Sequence, residues 1–120
     1  MKTLTKAEEQ IMKVLWKLES GLLMEIVEQM PKPQPHKNTV ATVLKTLIEK
    51  GFVKTENVGR FFRYKPKVTK DAYSSSTLVD MAKGYFNGSF TNVVSFLVDE
   101  NKLDVKELEL LLQQIKNNKR

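Results

Sequence analysis

Asn38, Thr42 and Lys45 recur at intervals of four and three residues, with Thr39, Ala41 and Thr46 beside them. On a helix that spacing lines one face. Together these residue types are suited to reading the edges of base pairs. Asn pairs with adenine through its amide, Lys reaches guanine or phosphate, and the methyls of Thr and Ala meet the thymine methyl. Short side chains also let a helix backbone come close to the bases. An ordinary solvated face would carry offset Glu and Lys pairs, yet no acid occurs in this stretch before Glu49. Asn38 or Thr39 alone could serve only as a helix cap. That reading leaves the rest of the face unexplained.

Positive charge concentrates around the same face. Residues 30–68 hold seven Lys and two Arg against Glu49 and Glu56, a net of +7, while the chain as a whole carries +6. Such a patch is the footprint of a polyanion-binding surface. Lys37 stands just before the face. Downstream, Arg60 falls at a turn, with Lys54, Arg63 and Lys65 on the flanking strands, where they could contact phosphates or a minor groove. Phe61, Phe62 and Tyr64 could stack on bases, but hairpin aromatics packed against helices usually belong to a core. At least two of the three are expected there, and Trp16 as well.

The residues exclude most other chemistry. There is no Cys, hence no disulfide, thiolate metal site or Cys nucleophile. His36 is the only histidine and lies among prolines with no carboxylate around it, which fits a loop or phosphate-facing residue better than a base or ligand. Glu8 and Glu9 are adjacent and splay apart on a helix, the Ser74–Ser76 run has no base partner, and the glycines form no phosphate-cradling loop. No catalytic group, metal or cofactor is expected.

The elements that must position these residues follow from local signals. Thr5 with Glu8 three residues on is a capping box, and Ile11, Met12, Leu15 and Trp16 continue as an apolar stripe. A short second helix, LLMEIVEQM, ends before Pro31. Prolines 31, 33 and 35 then force an extended connector. The third helix carries the short polar face outward and Val40, Val43, Leu44, Leu47 and Ile48 inward, and stops at Gly51. FVKTEN and RFFRYKPKV read as two strands joined near Val58 and Gly59. Three helices and a basic-tipped hairpin make a winged helix, a helix-turn-helix variant whose third helix enters the major groove.

Near Val68 the composition changes, so a winged-helix DNA-binding domain is expected over 1–68 and a helical domain over 69–120. Three helices fit the latter: one from about Thr69 to Phe86, one over FTNVVSFLVDE, and one capped by Asp104 with Glu107. The last bears Leu108, Leu111, Leu112 and Ile115 at helical spacing, ahead of a basic KNNKR tail. A segment of ~50 residues is marginal for an independent core. Phe86, Phe90, Val93, Val94 and Leu97 add more apolar surface than one short bundle can bury, which points to a second copy. The fold class is thus mainly α with a small β-hairpin wing, in a homodimer. The opening MKTLTKAEEQ lacks an apolar signal core, and the longest apolar runs are three residues, far short of the ~20 that span a bilayer. A cytoplasmic protein with no membrane association is expected.

The chain resembles the penicillinase and methicillin-resistance repressor family, which also includes copper-responsive repressors. LTKAEEQIMKVLW is similar to the family's opening, NTVATVLKTLIEKGFV to its recognition helix, and FNGSFTNVVSFLVDENKLDVKELELLLQQI to its dimerisation tail. The resemblance implies a homodimeric repressor on dyad DNA operators, typically of resistance or stress genes. In the penicillinase branch a sensor-linked protease cleaves the tail, and alignment puts that bond between Phe96 and Leu97. The branch usually has Asn where this chain has Phe96. The family often has Arg where Ala41 and Thr46 stand here, and the copper branch's C-terminal cysteines are absent. The same residues leave open a winged-helix module that docks an acidic protein.

Overall fold

The Thr5 hydroxyl accepts from the Glu8 N–H at 3.2 Å, and the Glu8 carboxylate accepts from the Thr5 N–H at 2.7 Å. This reciprocal cap satisfies two of the amides that any helix start leaves without intrahelical partners. It opens α1, Lys6–Leu18, in a computed structural model that describes residues 1–118. Lys119 and Arg120 of the basic tail lie outside the described residues.

After α1 come β1 (Gly21–Leu22), α2 (Leu23–Gln29), α3 (Lys37–Glu49), β2 (Val53–Val58) and β3 (Phe61–Pro66). Ile11, Met12 and Leu15 from α1 meet Ile26 from α2, Val40, Leu44 and Leu47 from α3, and Phe52, all fully buried. Each such side chain contributes about 1.5–3 kcal/mol by leaving water. The stripe of α3 is narrower than its sequence pattern implies. Ile48 is exposed, because the residue after Leu47 is rotated about 100° away from the core. Gly51 adopts φ +82°, which ends the helix and lets Phe52 turn back, its N–H donating to the Leu47 carbonyl at 2.9 Å.

The sheet has the order β1-β3-β2, antiparallel throughout. The expected hairpin is present, joined by Gly59 and Arg60, and β1 adds a short third strand, with Gly21 opposite Tyr64 and Leu22 opposite Arg63. A two-residue strand has no periodicity to detect. The expectation that at least two of the three hairpin aromatics are core is overturned. Phe61 is 66% and Phe62 54% exposed, and only Tyr64 packs against the core. Their positions opposite Val58 and Asn57 put them at the hairpin tip, outside the buried core. Trp16 is partly buried against the core, and its ring N–H donates to the Val68 carbonyl at 2.9 Å.

Compactness divides the chain into a unit of Met1–Ser76 and another beginning at Thr77. The boundary falls within α4, Lys70–Tyr85. Its start belongs with the first unit because Tyr73 lies 5.9 Å from the Trp16 ring and 5.8 Å from Phe52 and donates to Glu9 at 2.6 Å.

The second unit continues through α5, Phe90–Asp99, and α6, Val105–Asn118. Ser89 caps α5 by accepting from the Asn92 N–H, and Asp104 accepts from the Lys106 N–H at the start of α6. Phe86 meets Phe96 edge-on at 5.6 Å. Neither α5 nor α6 contains a buried residue. Among the described residues no helix is long and apolar enough to cross a membrane.

Candidate nucleic-acid interface

With Val40, Leu44 and Leu47 buried, α3 holds its opposite side clear of the core. Lys37, Asn38, Thr39, Thr42 and Lys45 are exposed there, and Ala41 and Thr46 are partly exposed at its margins. The helix cap is neither Asn38 nor Thr39. His36 Nδ1 accepts from the Asn38 backbone N–H at 3.1 Å, so the Asn38 side-chain amide takes no part in capping. A histidine seldom takes this role, and no sequence signal distinguished it from a loop residue.

The two threonines are arranged further. Thr42 donates its hydroxyl to the Asn38 carbonyl at 2.9 Å, and Thr46 donates to the Thr42 carbonyl at 3.3 Å. With the hydroxyl protons so engaged, each presents acceptor lone pairs and a methyl group. Such groups can meet the thymine methyl or accept from the amino groups of adenine or cytosine. The face therefore offers an amide, two acceptor-plus-methyl groups, a bare Ala and a terminal Lys, within about two helical turns.

The hairpin separates its cations into two kinds. Lys54 and Arg60 are exposed, and like Lys37 and Lys45 they make no ion pair among the described residues. Arg63 instead is partly buried, reaching Ser20 Oγ at 3.4 Å and Glu25 at 4.0 Å. Lys65 pairs with Glu56 at 3.0 Å, and that hydrogen bond and charge hold the Glu56 carboxyl below its ordinary value. Of the cations expected at the interface, Lys37, Lys45, Lys54 and Arg60 make no ion pair among the described residues.

Lys37 and Arg60 line one groove of about 340 Å³, together with Leu22, Leu23, Met24, Phe61, Phe62 and Tyr64. The start of α3 and the hairpin tip thus border a single concavity. Met24 carries no sequence signal for this groove, whereas Phe61 and Phe62, candidates for base stacking by residue type but expected in the core, line it.

The residues expected at a subunit contact are open in the single chain. Phe90, Leu111, Leu112 and Ile115 are about half exposed, while Phe86, Val93, Val94, Leu97 and Leu108 are partly covered. The peptide bond between Phe96 and Leu97 lies inside α5, with Phe96 half exposed.

Comparison with known proteins finds relatives along most of the chain. A penicillinase repressor from Bacillus licheniformis is 27% identical over 121 residues, covering 98% of this chain and 94% of that protein. The methicillin resistance regulatory protein MecI of Staphylococcus aureus strain N315 is 26% identical over 110 residues, covering 90% and 89%. The solution structure of the DNA-binding domain of the repressor BlaI superposes with a TM-score of 0.52 at 32% identity, over 61% of this chain and 94% of that one. The monomeric form of Bacillus licheniformis BlaI, solved in complex with the blaP half-operator, gives 0.51 at 32% identity, over 60% and 89%. The family model described as penicillinase repressor matches residues 4–117, and the chain belongs to that family.

Proposed function

We propose that this protein is a sequence-specific DNA-binding transcriptional repressor that acts as a homodimer on dyad operators. The observation that carries this reading is the exposed face of α3. Its groups are short, oriented and free of acid, and four cations that make no ion pair among the described residues lie on α3 and the adjoining hairpin. Lys37, Lys45, Lys54 and Arg60 supply affinity through phosphates, and Asn38, Thr39, Ala41, Thr42 and Thr46 supply readout through base edges. Arg63 contributes by tying β3 to Ser20 and to Glu25 of α2 rather than as a free charge. Residues 1–68 form the DNA-binding domain and residues 69–120 the dimerisation domain, through the apolar faces of α5 and α6. Two reading helices then take half-sites one helical turn, or a multiple of it, apart. The chain works in the cytoplasm, where the DNA is.

Cutting between Phe96 and Leu97 by a sensor-linked protease would relieve repression by dividing the dimerisation domain. A protease needs extended backbone, so α5 must open locally before that bond is reached.

Selection from a random pool of DNA duplexes tests the reading. The expected outcome is an enriched motif with dyad symmetry that is bound in preference to a scrambled duplex. Recovery of no preferred sequence would sink it, and would favour a module that docks an acidic protein.

A further inference from the structure

Glu8 is the one charged residue buried among those described. Its Oε1 accepts from the Thr5 N–H at 2.7 Å and from Lys50 Nζ at 2.7 Å, and Lys50 also reaches the Thr3 carbonyl at 3.4 Å. Exchanging a buried ion pair for apolar residues is often neutral or stabilising. Stability alone is therefore a weak reason for its presence.

Its position supplies a better one. Glu8 lies in the first turn of α1, and Lys50 is the C-cap residue of α3, its N–H bonded to the Thr46 and Ile48 carbonyls. The pair thus ties the start of α1 to the end of the reading helix. The apolar contacts of Val40, Leu44 and Leu47 favour burial but are non-directional. They resist separation of the helices more than a roll or slide. A short, charge-assisted hydrogen bond fixes both distance and direction. A small roll of α3 matters little to a long flexible Lys near a phosphate. It matters greatly to Asn38 and Thr42, whose short side chains must meet base edges within hydrogen-bond tolerance.

We propose that Glu8 and Lys50 are positioning residues of the DNA interface, their ion pair fixing the rotation and tilt of α3 against α1. This rests on the DNA-binding reading above. The pair also withdraws Lys50 from the set of cations available to phosphates.

Two variants separate this role from plain electrostatics, because they move net charge in opposite directions. Glu8→Gln keeps the size of the side chain and an acceptor for the Thr5 N–H, removes the ion pair and frees Lys50. Lys50→Gln removes the same pair and deletes the cation. Affinity is measured for the selected operator duplex and for a scrambled duplex at one salt concentration, with circular dichroism confirming the fold. Positioning requires the operator-to-scrambled ratio to fall in both variants, by about five- to tenfold. Lys50→Arg, which retains a charged donor, should keep most of the ratio. Ratios unchanged in both variants, or shifting in opposite directions with charge, would overturn the proposal. Should Glu8→Gln not fold, Lys50→Gln carries the test, since its side chain is partly exposed. A wild-type ratio near one would refute the DNA reading itself, whereas a high ratio kept by both variants would refute only the role of the pair.

Discussion

Replacing Leu111 and Ile115 with Asp should convert the protein from dimer to monomer. The two lie four residues apart on α6 and share one face. In the single chain they are 51% and 53% exposed, so a subunit contact has roughly half of each side chain left to cover. Full burial of a Leu or Ile contributes about 1.5–3 kcal/mol, which leaves about 1 kcal/mol per side chain. With both positions present in each subunit, the loss is about 4 kcal/mol before the cost of placing carboxylates in an apolar interface. That is a weakening of about 10³-fold in the dimer dissociation constant, and more once the carboxylates are desolvated. Sedimentation velocity at micromolar concentrations is the assay. Wild type should run at twice the chain mass of 13.8 kDa and the double variant at that mass. Neither residue belongs to the core of the first unit, so its thermal transition should be unchanged. A double variant that still sediments as a dimer would refute this use of α6.

Thr42→Asp should abolish operator binding, by about 10³-fold or more, with the dimer intact, because an unpaired carboxylate would face phosphates and base acceptors. A gel shift that retained wild-type affinity would show that this face does not meet DNA. Arg60→Gln should reduce the slope of log affinity against log salt by about 2 in the dimer, one phosphate per subunit, while Arg63→Gln, already engaged by Ser20 and Glu25, should leave it unchanged. Equal slopes for the two variants would contradict the division of the wing cations. Glu8 gives a pH signature. Burial raises its carboxyl pKa, but the Lys50 ammonium and the Thr5 N–H outweigh that and hold it below its ordinary value. A depressed folded value stabilises the protein above the unfolded value and loses that contribution as pH falls through the folded one. The melting-temperature gap between wild type and Glu8→Gln should therefore be widest near neutrality and shrink below about pH 4. A gap independent of pH would exclude the ionised pair.

The helices were legible because their signals are local. The Thr5 and Glu8 cap, the Ile11 to Leu15 stripe, the proline connector and Gly51 each act over a few residues, and each stands where its physics places it. The exposed polar face of α3 was legible for the same reason, since helical spacing alone gathers Asn38, Thr42 and Lys45. What escaped depends on distance in space. Nothing near Glu8 announces that Lys50 will meet it, and nothing near Arg63 announces Ser20 and Glu25. The aromatics misled because residue type was taken as burial. Phe61 and Phe62 have core character, but their place at the hairpin tip overrides it. His36 was missed as a cap because its acceptor nitrogen, not its residue class, makes the bond.

Salt dependence of operator binding tests the central claim most directly. Lys37, Lys45, Lys54 and Arg60 make no ion pair among the described residues, so the proposed dimer would present about eight phosphate contacts and a slope of log affinity against log salt near −7. Affinity for the selected duplex should fall by about 10⁴ between 50 and 200 mM salt while remaining above that for a scrambled duplex. A slope near zero, or equal affinity for both duplexes, would contradict the account.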